Sequence, residues 1–263
     1  MTSLRDHTIL GRTGLRVSRM GIGAGYGVPA KAVEKAYHEY GVNYFVVDGI
    51  RRAGITEAVR NLARTEREQM VIVLSSYGHL GFMAHRAVNR GLRSLGIEYA
   101  DVLLLGWYNS LPSKRILKAF QELNEHGKVN FLAMSGHNRK MFGRIARDPA
   151  SPIDIFHLRY NAAHPGAESD IFPHIRKDDR PGITVFTATS AGQLLKQRKL
   201  PVGTRPLTAP ECYRFVLSHS QVDLCMTGPA SEAQMDEALT ALDQGPLSQG
   251  EMAYARKVGA FKA

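Results

Sequence analysis

Short polar clusters follow several apolar runs in this chain, and they hold most of the side chains that could do chemistry. Arginine suits a carboxylate or phosphate ligand, because its guanidinium offers a planar fork for two hydrogen bonds. Histidine titrates near neutrality without a large pKa shift. The clusters comprise Asp48, Arg51 and Arg52; Ser75, Ser76 and Tyr77; Trp107, Tyr108 and Asn109; His137 and Asn138; and His157, Arg159, Asn161 and His164.

This distribution predicts an anionic small-molecule site. Arg51 is expected to orient the ligand, while His137 or His157 supplies any proton transfer. The predicted ligand contacts are Asp48, Arg52, Tyr77, Trp107, Tyr108 and Asn109. The alternative is that Arg51 and Arg52 lie on a solvated loop and bind nothing. We predict no metal site, because the histidines show no pair four residues apart as on a zinc-binding helix.

A second candidate anion site lies in the C-terminal quarter of the chain. Residues 222–226 read as a strand, and Thr227-Gly228-Pro229 read as a tight turn. Ser231 and Gln234 match a capping box at the start of a helix, whose free N-terminal amides attract phosphate. Gly228, Ser231 and Gln234 are therefore predicted to bind a phosphate group, although the same residues would cap the helix without any ligand.

Apolar runs of strand length alternate with amphipathic helical stretches along the whole chain. The predicted strands are residues 20–23, 42–48, 70–76, 101–107, 129–135, 153–160, 183–189 and 222–228. The predicted helices are residues 32–40, 56–63, 85–95, 114–126, 139–147, 168–176, 210–218 and 231–242, with an extra one at 248–258. Eight nearly continuous apolar strands, each followed by a helix, predict a single α/β domain over residues 1–263, a (β/α)8 TIM barrel.

One feature of the N-terminal region lies outside this repeat. Residues 8–10 and 15–17 are short apolar stretches separated by Gly11-Arg12-Thr13-Gly14. Glycines permit the turn that joins two short strands. We predict a β-hairpin that closes the bottom of the barrel.

Composition excludes several classes of protein. The 263 residues are 44% hydrophobic and 22% charged, which is typical of a globular chain and excludes disorder. The formal charge of +10 is scattered singly along helices, a pattern that favours a solvated surface over nucleic-acid binding. No apolar run reaches the ~20 residues of a membrane span, and the first residues lack the apolar core of a signal peptide. The expected location is the cytoplasm.

Several motifs, in order and spacing, resemble the aldo-keto reductase superfamily. They are LGRTGLRVSRMGIG at residues 10–23, GVNYF at 41–45, EYADVLLL at 98–105, GKVNFLAMS at 127–135, RYN at 159–161 and GPASEAQMDEAL at 228–239. The resemblance implies a (β/α)8 barrel that reduces carbonyl groups by hydride transfer from NADPH. It also implies a tyrosine as proton donor, tuned by lysine, histidine and aspartate.

The residues at the family's catalytic positions differ in this chain. The family's Asp and Tyr positions fall on Val46 and Arg51, and its Lys and His positions fall on Ser75 and Gly106. None of these four side chains can take the inherited role, since two have no titratable group, one has no charge and arginine keeps its proton. A shift of register could bring in Asp48, Tyr77 or Tyr108, but residues 36–113 contain no lysine.

The residues at the cofactor-binding positions that the resemblance implies are less altered. Ser135 matches a carboxamide-binding serine, with His137 or Asn138 near its asparagine and His157 in place of a glutamine. Phe186 stands where an aromatic ring stacks on the nicotinamide. The positions that would bind the 2′-phosphate and the adenine fall near Ala230 and on Ala238. We therefore expect weakened NADP or NAD binding, unless another arginine such as Arg205 substitutes.

Three functions remain open from the sequence. The first is a repurposed barrel that binds an anionic small molecule or a nicotinamide nucleotide at its C-terminal mouth, with non-standard acid-base chemistry or no redox chemistry. The second is an NAD(P)H-dependent carbonyl oxidoreductase with a substitute proton donor, and the third is a non-catalytic binding or regulatory barrel. Whether the chain is an enzyme therefore depends on the geometry of the mouth.

Overall fold

A closed barrel of eight parallel strands forms the centre of the computed structural model, which describes residues 3–23 and 25–263. Its strands are β3 (Met20–Gly23), β4 (Tyr44–Val46), β5 (Val71–Ser76), β6 (Ala100–Leu105), β7 (Val129–Gly136), β8 (Ile155–Arg159), β9 (Gly182–Phe186) and β10 (Leu224–Thr227). The helices are α1 (Ala30–Tyr40), α2 (Ala53–Glu66), α3 (Gly81–Leu95), α4 (Lys114–Glu125), α5 (Arg139–Arg147), α6 (Ala167–Asp170), α7 (Ala209–Leu217), α8 (Glu232–Gln244) and α9 (Gln249–Ala260). The predicted (β/α)8 architecture is confirmed.

Alternation along the strands sorts their side chains between two apolar layers. In β4, Tyr44 and Val46 pack inside the barrel, whereas Phe45 packs outward among the helices. Both faces of a parallel strand are therefore covered, and this is why each strand reads as a continuous apolar run. None of the helices in the described residues is long and apolar enough to cross a membrane.

The predicted hairpin is present as β1 (Thr8–Ile9) and β2 (Arg16–Val17), which pair antiparallel. Leu10 and Val17 are fully buried in the cluster that fills the inside of the barrel. Gly182 at the start of β9 lets Leu10 approach, because a β-carbon there would lie 2.6 Å from Leu10 Cγ. The hairpin therefore closes the N-terminal end of the barrel, as the sequence predicts.

Several predicted elements are longer than those observed, and the backbone conformation explains two of them. The strand predicted at 101–107 ends at Leu105, because Trp107 adopts a positive φ of 61° that no strand allows. The strand predicted at 183–189 ends at Phe186, because Thr187 has φ 59°. The helix predicted at 168–176 is only the four-residue α6 followed by a 3-10 turn at Phe172–His174.

Side-chain caps mark the start of α4, α5, α7, α8 and α9. In α7, Thr208 Oγ1 accepts from the Glu211 amide, and the Glu211 carboxylate accepts in return from the Thr208 amide. This reciprocal pair satisfies two of the amides that a helix start leaves unpaired. Because α7 supports β10 and the loop that leads to α8, the cap also positions one side of the barrel mouth.

Replacing this cap should measurably destabilise the protein. Thr208→Ala is expected to lower the free energy of unfolding by about 1 kcal/mol, since one amide loses its acceptor. The matched control is Thr65→Ala, at an exposed position within α2. Urea unfolding of the two variants measures the difference, and an equal effect of both changes would contradict the capping role.

Candidate functional site

Two connected depressions open at the C-terminal end of the barrel. The inner cavity, of about 200 Å³, is lined by Gly23, Val46, Asp48, Tyr77, Leu104, Trp107, Ser135, His157, Phe186 and Met226. The outer cleft, of about 500 Å³, runs from the inner cavity between the ends of β9 and β10 toward α8. Gly23, Phe186 and Met226 line both. A long ligand in the cleft can therefore place one end inside the barrel.

His157 lines the inner cavity from within β8 and is only 3% exposed. Its Nε2 shares a hydrogen bond of 2.9 Å with Tyr44 Oη from β4. Burial lowers the pKa of His157 to about 3, because the imidazolium form would lose its hydration. His157 is therefore neutral near neutrality. It can orient a ligand by a hydrogen bond, but its proton affinity is poorly matched to acid-base work at that pH.

Tyr77 and Asp48 form a hydrogen-bonded pair on the wall of the inner cavity. Tyr77 Oη donates to Asp48 Oδ2 at 2.6 Å. Burial and the negative charge of Asp48 raise the pKa of Tyr77, which makes its phenol a weaker acid. Trp107 packs edge-on against the Tyr77 ring, with 5.8 Å between ring centroids. The sequence predicts all three as ligand contacts, and the structure brings them together.

The Tyr77 ring lies directly over Gly106. A β-carbon at Gly106 would lie 2.4 Å from ring atoms of Tyr77. The space that a side chain at position 106 would use is therefore occupied by the tyrosine of the neighbouring strand end. The family resemblance assigns a histidine to that position, and no signal in the sequence indicates that Tyr77 fills its place.

Several predicted site residues hold the loops around the mouth by hydrogen bonds to the backbone. Asn109 Oδ1 accepts from the amides of His137 and Asn138, at 2.8 and 3.2 Å. Asn138 Oδ1 accepts from the Met141 amide and so begins α5. Tyr108 Oη donates to the Gly78 carbonyl at 2.8 Å.

Ser135 has a comparable bond, since its Oγ accepts from the Trp107 amide at 3.2 Å. Unlike Tyr108, Asn109 and Asn138, it also lines the inner cavity. Ser135 therefore both supports the Trp107 loop and remains in reach of a ligand. The roles of all four residues toward a ligand stay predictions.

Three other predicted residues, Arg51, Arg52 and His137, lie at the rim of the mouth, outside the described lining of both cavities. Arg51 is exposed and lies along Gly27, where a β-carbon would meet the arginine side chain at 3.5 Å. Arg52 directly precedes α2. His137 is exposed and lies edge-on to Phe186, at 6.3 Å between centroids. Partial burial and the charge of Arg159 lower the pKa of His137.

The outer cleft ends at the start of α8. A β-carbon at Gly228 would lie 2.9 Å from the Tyr26 ring. Ser231 caps α8 by accepting from the Gln234 amide, as predicted, but the return bond of the expected capping box is absent. The Gln234 side chain instead accepts from the Ala230 amide at 2.8 Å, because the turn brings that amide within its reach.

Charge in the outer cleft is negative. Among the described residues that line it, Glu237 is charged and none is lysine or arginine. Arg205, which the sequence offers as a substitute phosphate ligand, forms two bonds of 2.6 and 2.8 Å to the Glu211 carboxylate. Arg205 is thus engaged by Glu211 and is not among the described residues that line the cleft, and its role as a substitute ligand stays a prediction.

Sequence reasoning did not single out Tyr44, Thr184 or Met226 as residues of the site. Met226 lines both cavities, and Tyr44 lies beneath them as the partner of His157. Thr184 pairs with His157 between β8 and β9, and within the described residues its buried Oγ1 has no hydrogen-bond partner. All three lie within apolar runs and resemble core residues there. The alternation of side chains between the two faces of a strand could have identified them, because it places Tyr44 on the same face as Val46.

Comparisons with known proteins agree with this architecture. The model of the Aldo/keto reductase family matches residues 30–211. The apo structure of the aldo-keto reductase AKR11C1 from Bacillus halodurans is 21% identical, with a TM-score of 0.77 over 96% of this chain and 95% of that one. Its holo form is 20% identical, with a TM-score of 0.79 over 96% of both chains. No curated protein sequence matches this chain.

Proposed function

Because the chain belongs to the aldo/keto reductase family, we propose that its outer cleft binds a nicotinamide dinucleotide and that its inner cavity receives a second ligand. The observation that carries this proposal is the continuity of the two spaces at Phe186. A dinucleotide is long enough to run along the cleft, and an aromatic face at the junction suits stacking of a flat ring. Such a cofactor would supply a hydride donor or acceptor at the mouth.

The residues present fit such a cofactor. The cleft volume of about 500 Å³ lies within the usual range for ligand pockets. Ser135 and His157 line the inner cavity beside Phe186 and would hydrogen-bond the ring end. At the other end, Ala230 and Gln234 line the cleft where α8 begins. Their own amides are already bonded, so a phosphate would use the other first-turn amides of the helix. The Bacillus halodurans protein of similar fold has been solved in a holo form.

The charge of the cleft supports weakened binding of a 2′-phosphate. Glu237 lines the cleft and Glu232 lies in the first turn of α8. A phosphate placed beside carboxylates without an arginine or lysine partner loses hydration and gains little in return. We therefore propose that NAD binds better than NADP, although both bind weakly.

Calorimetric titration with NAD, NADP and inorganic phosphate tests the proposed site. NAD is expected to bind at least about tenfold more tightly than NADP, a difference of about 1.4 kcal/mol. Glu237→Gln should bring the affinities for NAD and NADP closer together by strengthening NADP binding, since it removes a negative charge from the cleft. The control Glu57→Gln removes an exposed carboxylate on α2 and should leave both affinities unchanged. Tighter NADP binding, or no heat with any probe, would contradict the proposal.

We also propose that the site does not perform ordinary carbonyl reduction. Family members use a tyrosine acid with a lysine beside it, whereas here Val46, Ser75 and Gly106 occupy positions of that tetrad. The phenol present, Tyr77, donates to a carboxylate, and no lysine or arginine lines the described part of the inner cavity. Without a cation, neither the phenolate nor a developing negative charge on a substrate oxygen is stabilised.

A reductase with a substitute acid is the second candidate, and one contact favours it. Tyr77 Oη lies in the mouth, within a hydrogen bond of Asp48. In such a reductase Tyr77 would give its proton to the carbonyl oxygen of the substrate while the carbonyl carbon takes the hydride that a bound cofactor would supply, and Asp48 would orient the hydroxyl. Comparing Tyr77→Phe with the parent protein in single-turnover reduction tests this candidate, because only a participating hydroxyl makes the rate fall.

A further inference from the structure

We propose that the inner cavity binds a small apolar molecule that carries a positively charged amine. The charged group can be any ammonium from primary to quaternary. This inference rests on the proposed function only in taking the inner cavity as the substrate site. The recognition itself needs no dinucleotide. It depends on one carboxylate and three aromatic rings that line the same space.

Asp48 supplies the charge. Its carboxylate lines the inner cavity, and Tyr77 Oη holds its Oδ2 at 2.6 Å. In the described ranges 3–23 and 25–263, Asp48 Oδ1 has no hydrogen-bond partner and the carboxylate has no ion pair. Among the described lining residues none is lysine or arginine, and the histidine that lines the floor is neutral near neutrality. The inner cavity therefore has a negative potential.

Aromatic rings supply the rest of the surface. Tyr77 and Trp107 meet at an interplanar angle of 74°, so the two rings form a corner, and Phe186 lines the cavity as well. A ring face attracts a cation through its quadrupole when the charge lies within about 6 Å of the centroid. Aromatic walls combined with one carboxylate favour an alkylated ammonium over a strongly hydrated metal ion. The remaining lining residues, such as Val46 and Leu104, suit the apolar skeleton of the ligand.

The positive groups at the rim are not among the described residues that line this space. Arg51, three residues after Asp48, is exposed and lies along Gly27. Arg159 lines a separate small depression with His137 and Arg139, next to α5. Salt and water screen exposed charges more strongly than a carboxylate that lines a cavity. An exposed arginine outside the lining therefore opposes a cation less than the lining carboxylate attracts it.

Fluorescence of the full-length protein gives a direct readout. Trp107 is the sole tryptophan and is 72% exposed, so ligand binding in the corner should change its emission. The probes are neopentylamine, neopentyl alcohol and pivalate, which carry an ammonium, a hydroxyl and a carboxylate on the same skeleton at pH 7. Neopentylamine is expected to bind at least tenfold more tightly than either of the others, with tetramethylammonium as a second cation.

Two variants test whether the preference for the ammonium group comes from Asp48. Asp48→Asn keeps the size of the side chain and should weaken neopentylamine binding at least tenfold without changing binding of the alcohol. The matched control Asp178→Asn removes an exposed carboxylate ahead of β9 and should change neither. Equal affinity of the parent protein for the amine and the alcohol would overturn the proposal. A higher affinity for pivalate than for neopentylamine, abolished by Arg51→Gln, would overturn it as well.

The outcomes also separate this inference from the proposed cofactor site. Calorimetry with NAD is run on the same parent protein and on Asp48→Asn. Amine selectivity without NAD binding would overturn the proposed function and leave the cation site standing. NAD binding without amine selectivity would overturn the cation site alone.

Discussion

With NADPH and a simple aromatic aldehyde, the purified protein is expected to turn over far below the ~1 per second of an ordinary enzyme. The physical reason lies at three strand ends, where Val46, Ser75 and Gly106 carry no acid and no cation. General acid catalysis and electrostatic stabilisation typically each contribute about 10²-fold or more, so their joint loss should reduce the rate by about 10⁴-fold or more. A coupled absorbance assay at saturating aldehyde measures the rate.

The controls for this prediction separate chemistry from binding. Calorimetry on the same preparation establishes whether the nucleotide binds, so that a low rate is not mistaken for an empty cleft. Ser75→Lys adds a cation to the strand end that precedes Tyr77, and should raise the rate at least tenfold if Tyr77 can act as the acid. Steady reduction near ~1 per second by the parent protein would contradict the degenerate site and favour a substitute proton donor.

Acid should destabilise the protein through His157. Burial lowers its pKa from 6.5 to about 3, so between those values the unfolded chain binds a proton that the folded chain excludes. Stability contributed by this group is therefore complete above pH 6.5 and falls as the pH decreases toward 3. The expected loss of unfolding free energy is about 5 kcal/mol, because a tenfold difference in proton affinity between the folded and unfolded chains corresponds to about 1.4 kcal/mol.

Urea unfolding at several pH values measures this loss. His157→Gln keeps a polar side chain beside Tyr44 but cannot take up a proton, so its free energy of unfolding should depend on pH less steeply than that of the parent protein. His126→Gln, at an exposed position after α4, is the control and should retain the parent slope. Identical slopes for all three proteins, or a His157 ring that titrates near 6.5 by NMR, would contradict the burial argument.

The fold could be predicted almost completely from local patterns. Continuous apolar runs such as β6, in which all six residues are buried, indicate strands covered on both faces. Gly11 and Gly14, with positive φ, mark the turn of the hairpin. Alternation of strands with helices then restricts the chain to a parallel architecture, since parallel neighbours need a crossover between them. The same logic correctly places Asp48, Tyr77 and Trp107 at one end of the barrel.

The sequence by itself determined the barrel, its closing hairpin and the edge at which the polar clusters meet, because these follow from local periodicity and chain direction. Only the tertiary structure decided that Tyr77 fills the space over Gly106, that Arg51 lies outside the cavity lining and that His157 is neutral. Side-chain direction at a strand end and the pKa of a buried group depend on neighbours distant in sequence. His157 meets Tyr44 across 113 residues, and no local pattern encodes that contact.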